Sequence, residues 1–231
     1  MPTLFSNVKR ALIGLGIKPH KLPFIQPPII DPYQYDDELC AEYDHIASNT
    51  VVDRKRVFML KQFAQTVKNV TGDVAEIGVY RGGTAWLLAH SLRTTGKKIH
   101  LFDTFEGMPD VHPDKDKHRK GDFNDTTLEQ VKAFLNAYSD VKFYPGFFPA
   151  TSSPVAETKF CFVHIDVDIF QSVWDCCEFF YPRLAPNGVM VFDDYGFITC
   201  PGAKEAVDAF FQDKPETPMY LSTGQAFLFK R

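Results

Sequence analysis

From Gly72 onward the chain alternates short apolar runs with segments of helical period, and this alternation constrains the fold more than any other feature. DVAEIGVY, KKIHLFDTF, VKFYPGF, KFCFVHIDV and GVMVFDDY read as strands. GTAWLLAHSLRTTG, TLEQVKAFLNAY, QSVWDCCEFFYPRL and GAKEAVDAFFQD read as the helices among and after them. Strands that are apolar throughout and separated by helices pair in parallel, because each crossover lays a helix over one face of the sheet. The last two runs, PMYLS and QAFLFKR, are parted only by Thr223-Gly224 and read as a hairpin with an antiparallel member. The expected fold class is α/β and Rossmann-like. Its mostly parallel seven-stranded sheet has an antiparallel C-terminal strand and helices on both faces.

Ahead of this region, residues 1–36 hold a short candidate helix, LFSNVKRALIGL, and a proline-rich passage, KPHKLPFIQPPIIDP. Proline at that density prevents long regular structure, so the segment is expected to wrap over the body of the protein or a partner. Two helical stretches follow, DELCAEYDHIA and the run from Asp53 to Val70. In the second, Val57, Leu60, Phe63, Ala64 and Val67 share one face. The apolar run ALIGLGI is too short for a signal peptide and leads into KPHKLP with no cleavage pattern. No run approaches transmembrane length, so no membrane partner is expected.

A net charge of −4 argues against a general nucleic-acid binder. The five cysteines include an adjacent pair and no C-x-x-C, which points to reduced thiols and a cytoplasmic protein. The 22 phenylalanines imply an aromatic core, an extensive interface, or both, and a homo-oligomer is expected.

In an open α/β sheet, ligands bind beyond the carboxyl ends of the strands, where the strand order reverses. The first strand runs into EIGVYRGG, whose Gly78, Gly82 and Gly83 allow a sharp turn and a close backbone approach. The spacing is neither that of a dinucleotide loop nor that of a triphosphate loop. Glu76 suits a cationic ligand group better than a phosphate. The pattern E-x-G-x-x-x-G resembles the first motif of class I S-adenosylmethionine methyltransferases. Asp103 closes the second strand, where an acid accepts ribose hydroxyls or caps a turn. Asp122 and Phe123, in KGDFNDT, either cover an adenine ring or belong to a polar loop capped by Asp125 or Thr126. The preceding HPDKDKHRK reads as a solvated loop or lid.

Acids also gather at two neighbouring strand ends. Asp166 ends one strand, and Asp193 and Asp194 end the next. Three carboxylates this close repel one another unless a hard cation, an arginine or backbone amides satisfy them. Asp168 and Gln171 have capping-box spacing, so Asp168 is expected to cap the following helix. His164 alternates with Asp166 and reads as a hydrogen-bonded core residue.

Taken in order, EIGVYRGG, FDTFEGMP, GDFNDTTLEQV, FYPGFFPAT, HIDVDIF and VFDDYG resemble the macrocin O-methyltransferase family over about residues 50–230. The chain departs from the common pattern at Val167, where most members carry glycine. The resemblance implies a metal-dependent class I methyltransferase acting on sugar hydroxyls. Residues 1–52 would then form an N-terminal extension and lid, and 53–231 the methyltransferase domain. Glu76, Gly78, Tyr80, Gly83, Asp103, Asp122 and Phe123 would hold S-adenosylmethionine. Asp166, Asp193 and Asp194 would hold Mg²⁺, or Mn²⁺, and through it the acceptor. Asp166 would also serve as base. The acceptor would be a sugar or glycosylated small molecule, with the proline-rich segment, residues 40–50 and 112–121, Tyr195 and the FFPATSSP loop around it. An apolar strand ending in Asp166-Val167-Asp168 also resembles the Mn²⁺ element of nucleotide-sugar glycosyltransferases. A methyltransferase-like binding protein without catalysis is a third reading.

Overall fold

The computed structural model describes residues 36–231 together with Leu15 and Tyr33. The chain divides into two compact units, Met1–Asp36 and Asp37–Arg231. The candidate helix and proline-rich passage before residue 36 lie outside the described residues.

The larger unit opens with α1 (Asp37–Ile46) and α2 (Arg54–Thr66). Asp53 starts α2 by accepting hydrogen bonds from the Lys55 and Arg56 amides, which satisfies two of the helix's orphan donors. The face carrying Val57, Leu60 and Ala64 is fully buried. Next come β1 (Asp73–Ile77), α3 (Gly83–Leu92), β2 (Ile99–Asp103), α4 (Leu128–Phe134), β3 (Val141–Pro145) and β4 (Phe160–Ile165). The chain finishes with α5 (Phe170–Phe180), β5 (Leu184–Phe192), α6 (Pro201–Phe211), β6 (Met219–Tyr220) and β7 (Ala226–Phe229).

All seven strands form one sheet, in the order β3-β2-β1-β4-β5-β7-β6. The first five run parallel, and β7 pairs antiparallel with both β5 and β6, as the tight Thr223-Gly224 turn predicts. The order reverses between β1 and β4, so the crevice of the sheet opens where Gly78 and Asp166 follow these two strands. Several phenylalanines fill the core on one face. Phe160, Phe102 and Phe148 surround Phe180 at ring-centroid distances of 5.1, 6.0 and 5.3 Å.

A row of buried polar groups crosses the sheet. Glu76 on β1 stands in register with His164 on β4. Both are wholly inaccessible, as is Asp193 just beyond β5. Burial of so many ionisable groups is tolerable only because they pair. His164 Nδ1 lies 2.8 Å from Glu76 and its Nε2 3.4 Å from Asp193. Burial opposes charge on this imidazole, but Asp193 and Glu76 outweigh it and push the pKa up to about 10. His164 is therefore a charged strut with both nitrogens occupied, in keeping with the core role expected of it.

Helix α5 departs from expectation. Asp168 does not cap it: the helix's N-cap is Ile169, with no side-chain cap of its own. Instead Asp116, from the 112–121 loop, accepts a 2.9 Å hydrogen bond from the Phe170 amide. The capping-box spacing is real, but Asp168 sits at φ +60° and its side chain turns toward His118 and Cys200.

Candidate active site

At the carboxyl ends of β1, β2 and β4 lies a cavity of about 320 Å³. The turn after β1 forms its floor. Gly78 has φ +85°, and a Cβ there would stand 1.8 Å from the Asp166 carbonyl oxygen, so only glycine lets β1 and β4 close together. Asp103, at the end of β2, organises the turn. Its Oδ2 accepts from the Val79 and Tyr80 amides at 2.6 and 2.9 Å, and its Oδ1 accepts from Phe105 at 2.7 Å. A carboxylate has about four acceptor positions, so Oδ1 retains capacity for one ligand hydroxyl. Tyr80 and Phe123 meet edge to face beside it, with centroids 5.8 Å apart.

The expected cofactor residues separate into two groups. Gly78, Tyr80, Asp103 and Phe123 line the cavity, whereas Glu76, Gly83 and Asp122 do not. Glu76 lies two residues back from the mouth, inside the sheet on His164, and its Oε2 has no hydrogen-bond partner among the described residues. Gly83 packs where a Cβ would press on Asn49 and Thr50. Asp122 faces the 112–121 loop, accepting from the Arg119 amide and lying 3.2 Å from His118 Nδ1. The Arg119 amide and His118 hold its carboxyl below the usual range.

The acids separate in the same way. Asp166, Asp168 and Asp194 line the cavity. Asp193 stands behind them. Its Oδ2 takes a short hydrogen bond from Arg56, and its Oδ1 accepts 2.8 Å from Gln225 as well as facing His164. Burial would raise its pKa, but His164, Arg56 and Gln225 overcome this and hold it low. Among the described residues, Asp166 and Asp194 have no such hydrogen-bonded cation partner. Burial, then the surrounding carboxylates, push both well up. Among the described residues, the Asp194 carboxylate accepts only the Asp168 amide, at 3.0 Å. Two crowded carboxylates on a cavity wall are an oxygen donor set short of positive charge. That is the chemistry of a site for a hard divalent cation.

Sequence reasoning missed Arg56 and Cys200 and reached His118 only as part of the 112–121 loop; all three line the cavity. Arg56 sits among ordinary helix residues, and its partner is 137 positions away. His118 lies in a charged run that reads as solvated surface, and Cys200 carries no motif.

The model of one family, macrocin O-methyltransferase (TylF), matches residues 35–223. The chain belongs to the macrocin O-methyltransferase family. Among curated relatives of this family, it is 32% identical over 169 residues to 8-demethyl-8-(2,3-dimethoxy-alpha-L-rhamnosyl)-tetracenomycin-C 4'-O-methyltransferase of Streptomyces olivaceus, covering 66% of this chain. It is 30% identical over 181 residues to demethyldecarbamoylnovobiocin O-methyltransferase of Streptomyces niveus, covering 71% of this chain. The matches span 65% and 68% of those relatives' own lengths. Among solved structures, the O-methyltransferase NovP superposes with a TM-score of 0.68 at 26% identity, covering 79% of this chain and 82% of that one. The calicheamicin methyltransferase CalS11 shares the fold, with a TM-score of 0.67 at 18% identity over 84% and 92% of the two chains. The class I architecture expected from the macrocin O-methyltransferase resemblance is the one observed. Among the described residues, no helix is long and apolar enough to cross a membrane.

Proposed function

We propose that the protein transfers the methyl group of S-adenosylmethionine to a hydroxyl of a sugar or sugar-bearing natural product, with a divalent cation at the acceptor side. By their names, one relative methylates a rhamnosyl tetracenomycin and another a demethyldecarbamoylnovobiocin, and the family assignment sets the nucleotide-sugar glycosyltransferase and non-catalytic readings aside. The observation that carries the reading is the pair of cation-deficient carboxylates, Asp166 and Asp194, on the wall of a cavity whose floor is the Gly78 turn.

The residues present suit both groups. Asp103 Oδ1 offers a ribose hydroxyl its remaining acceptor position, and Tyr80, Met108 and Phe123 supply apolar walls for an adenine ring. Asp166 and Asp194 would hold Mg²⁺ or Mn²⁺ from the cavity wall, and the expected third ligand, Asp193, would stand behind them, its oxygens engaged by Arg56, His164 and Gln225. A bound divalent ion lowers the pKa of a coordinated hydroxyl and stabilises the developing alkoxide charge.

The chain's own groups do the rest. A carboxylate bound to a cation is a weakened base, so the proton acceptor expected at Asp166 fits better at Asp168, two residues on and on the same wall. Burial raises its pKa, with His118 and the Cys200 thiol pulling the other way, and a raised carboxylate is better matched to proton abstraction near neutral pH. Two backbone contacts hold Asp168 in place. The Ile169 amide closes a three-residue turn onto the Val167 carbonyl at 2.6 Å, and Asp194 holds the Asp168 amide. The remaining contribution is alignment of the acceptor oxygen with the methyl carbon and sulfur. Val51, Phe147 and Phe197 close the acceptor side of the cavity. All five cysteines are free thiols, which supports a reducing, cytoplasmic location.

The test is incubation with S-adenosylmethionine and a panel of glycosides, with Mg²⁺ or with chelator. A product heavier by one methylene and Mg²⁺-dependent formation of S-adenosylhomocysteine are expected. Binding of nucleotide sugars without binding of S-adenosylmethionine would sink the proposal.

A further inference from the structure

A second cluster on the cavity wall has a different chemistry. His118, Asp168 and Cys200 converge there, with one ligand atom from each lying within 4.8 Å of the others. His118 Nε2 is 3.4 Å from Asp168 Oδ1 and 3.6 Å from Cys200 Sγ, and Cys200 Sγ is 3.4 Å from Asp168 Oδ1. We infer that this triad is a binding site for a borderline-soft divalent cation, Zn²⁺ foremost, separate from the all-oxygen site of Asp166 and Asp194.

Three observations carry the assignment. The first is edge length. Zinc bonds of about 2.0–2.1 Å to nitrogen, 2.0–2.2 Å to oxygen and 2.3 Å to sulfur, about 109° apart, put ligand atoms roughly 3.3–3.4 Å apart for N–O and about 3.6 Å apart where sulfur takes part. All three observed edges lie near these lengths. The His118–Asp168 separation is longer than an ordinary N–H···O hydrogen bond, so hydrogen bonding alone is a poor account of it.

The second is support behind the ligand. His118 Nδ1 lies 3.2 Å from Asp122 Oδ2, the carboxylate–histidine arrangement that fixes the tautomer of metal-binding imidazoles. The third is openness. All three residues line the cavity, so a fourth ligand could reach the ion from it.

Thiolate, imidazole and one carboxylate select a softer ion than Mg²⁺. On binding, the Cys200 thiol releases its proton to solvent as the sulfur–metal bond forms. Occupancy would tie the 112–121 loop to the start of α6 and take up the Asp168 carboxylate, so the zinc-loaded form would lack the proton acceptor proposed above and be the inactive one.

The experiment is titration of the full chain with Co²⁺ in excess Mg²⁺, read by thiolate-to-cobalt charge-transfer absorption in the near ultraviolet. One equivalent should give the band, Zn²⁺ should displace it, and Cys200→Ser should abolish it while Cys40→Ser keeps it. Asp122→Asn should weaken binding about 10–100-fold, as loss of a supporting carboxylate does. His118→Ala should weaken binding by at least about tenfold and, with Asp122→Asn, tests the site even if Cys200→Ser fails to fold. Absence of the band, its survival in Cys200→Ser, unchanged affinity in His118→Ala, or its removal by Mg²⁺ would each overturn the assignment. None of these readouts depends on methyl transfer.

Discussion

Replacing Arg56 by methionine probes the ion pair that joins α2 to the end of β5. The substitution keeps most of the aliphatic stem that packs beside Phe197, over whose ring the guanidinium sits at 4.8 Å, and removes the charge. Asp193 is wholly buried, so the change leaves a carboxylate with only His164 and Gln225 to satisfy it. Removing one partner of a buried pair costs about 3–5 kcal/mol. The two remaining donors place the expected loss near the lower end, about 3 kcal/mol. In a chain of this length that corresponds to a fall in Tm of roughly 6–12 °C. The pH dependence has a definite sign. Asp193 is held below its ordinary pKa in the folded state, so its contribution is present above the unfolded carboxylate value and is lost as pH falls through the folded one. Without Arg56 that depression shrinks, and acid unfolding should begin at higher pH. Urea and thermal denaturation of Arg56→Met, Asp193→Asn and the double variant complete a cycle. A coupling of about 1–2 kcal/mol is expected. Single losses that add within about 0.5 kcal/mol would show that the contact does not bind the two elements.

Gly78→Ala should be among the most damaging single changes, because the new Cβ meets backbone of Asp166 rather than a movable side chain. It should cost at least about 1–3 kcal/mol from φ alone, and circular dichroism melting will register it. The His164 row contributes stability that is complete below about pH 6.5 and disappears as pH rises toward about 10. His164→Asn should flatten that alkaline slope, measured as urea midpoints from pH 6 to 10. Asp116→Ala should lower stability by about 0.5–2 kcal/mol through loss of the contact at the start of α5. In contrast, Asp168→Asn should leave melting nearly unchanged and abolish turnover; a destabilised but active Asp168→Asn would reverse the two roles.

The order of strands and helices was legible because periodicity is a local signal, repeated along each element. β1 through β4 and the closing hairpin fall within the apolar runs, their ends drawn inward like that of α2 at Thr66, whereas β5 starts earlier than its run, at Leu184. The glycine turn and Asp103 were legible for the same reason, since both follow directly from a strand end. Asp168 was misread because a capping box is recognised over four residues, whereas the group that meets the Phe170 amide lies 54 positions earlier. Glu76 was placed at the mouth by its proximity to Gly78, yet the strand turns its side chain inward to His164. Arg56 and Cys200 had no local signature of a site: beyond its ion pair with Asp53, Arg56 meets Asp193 137 positions away, and Cys200 meets His118 and Asp168 82 and 32 positions away.

The fastening of the 112–121 loop sets terms for redesign of the cavity. Asp116 holds the His112 amide with one oxygen and the Phe170 amide with the other, and a Cβ on Gly202 would lie 2.2 Å from it. A segment transplanted from a relative to alter acceptor choice must therefore bring an aspartate at this position and keep glycine at 202. Exchange of the flanking residues alone, with that anchor retained, is the modular cut the fold permits.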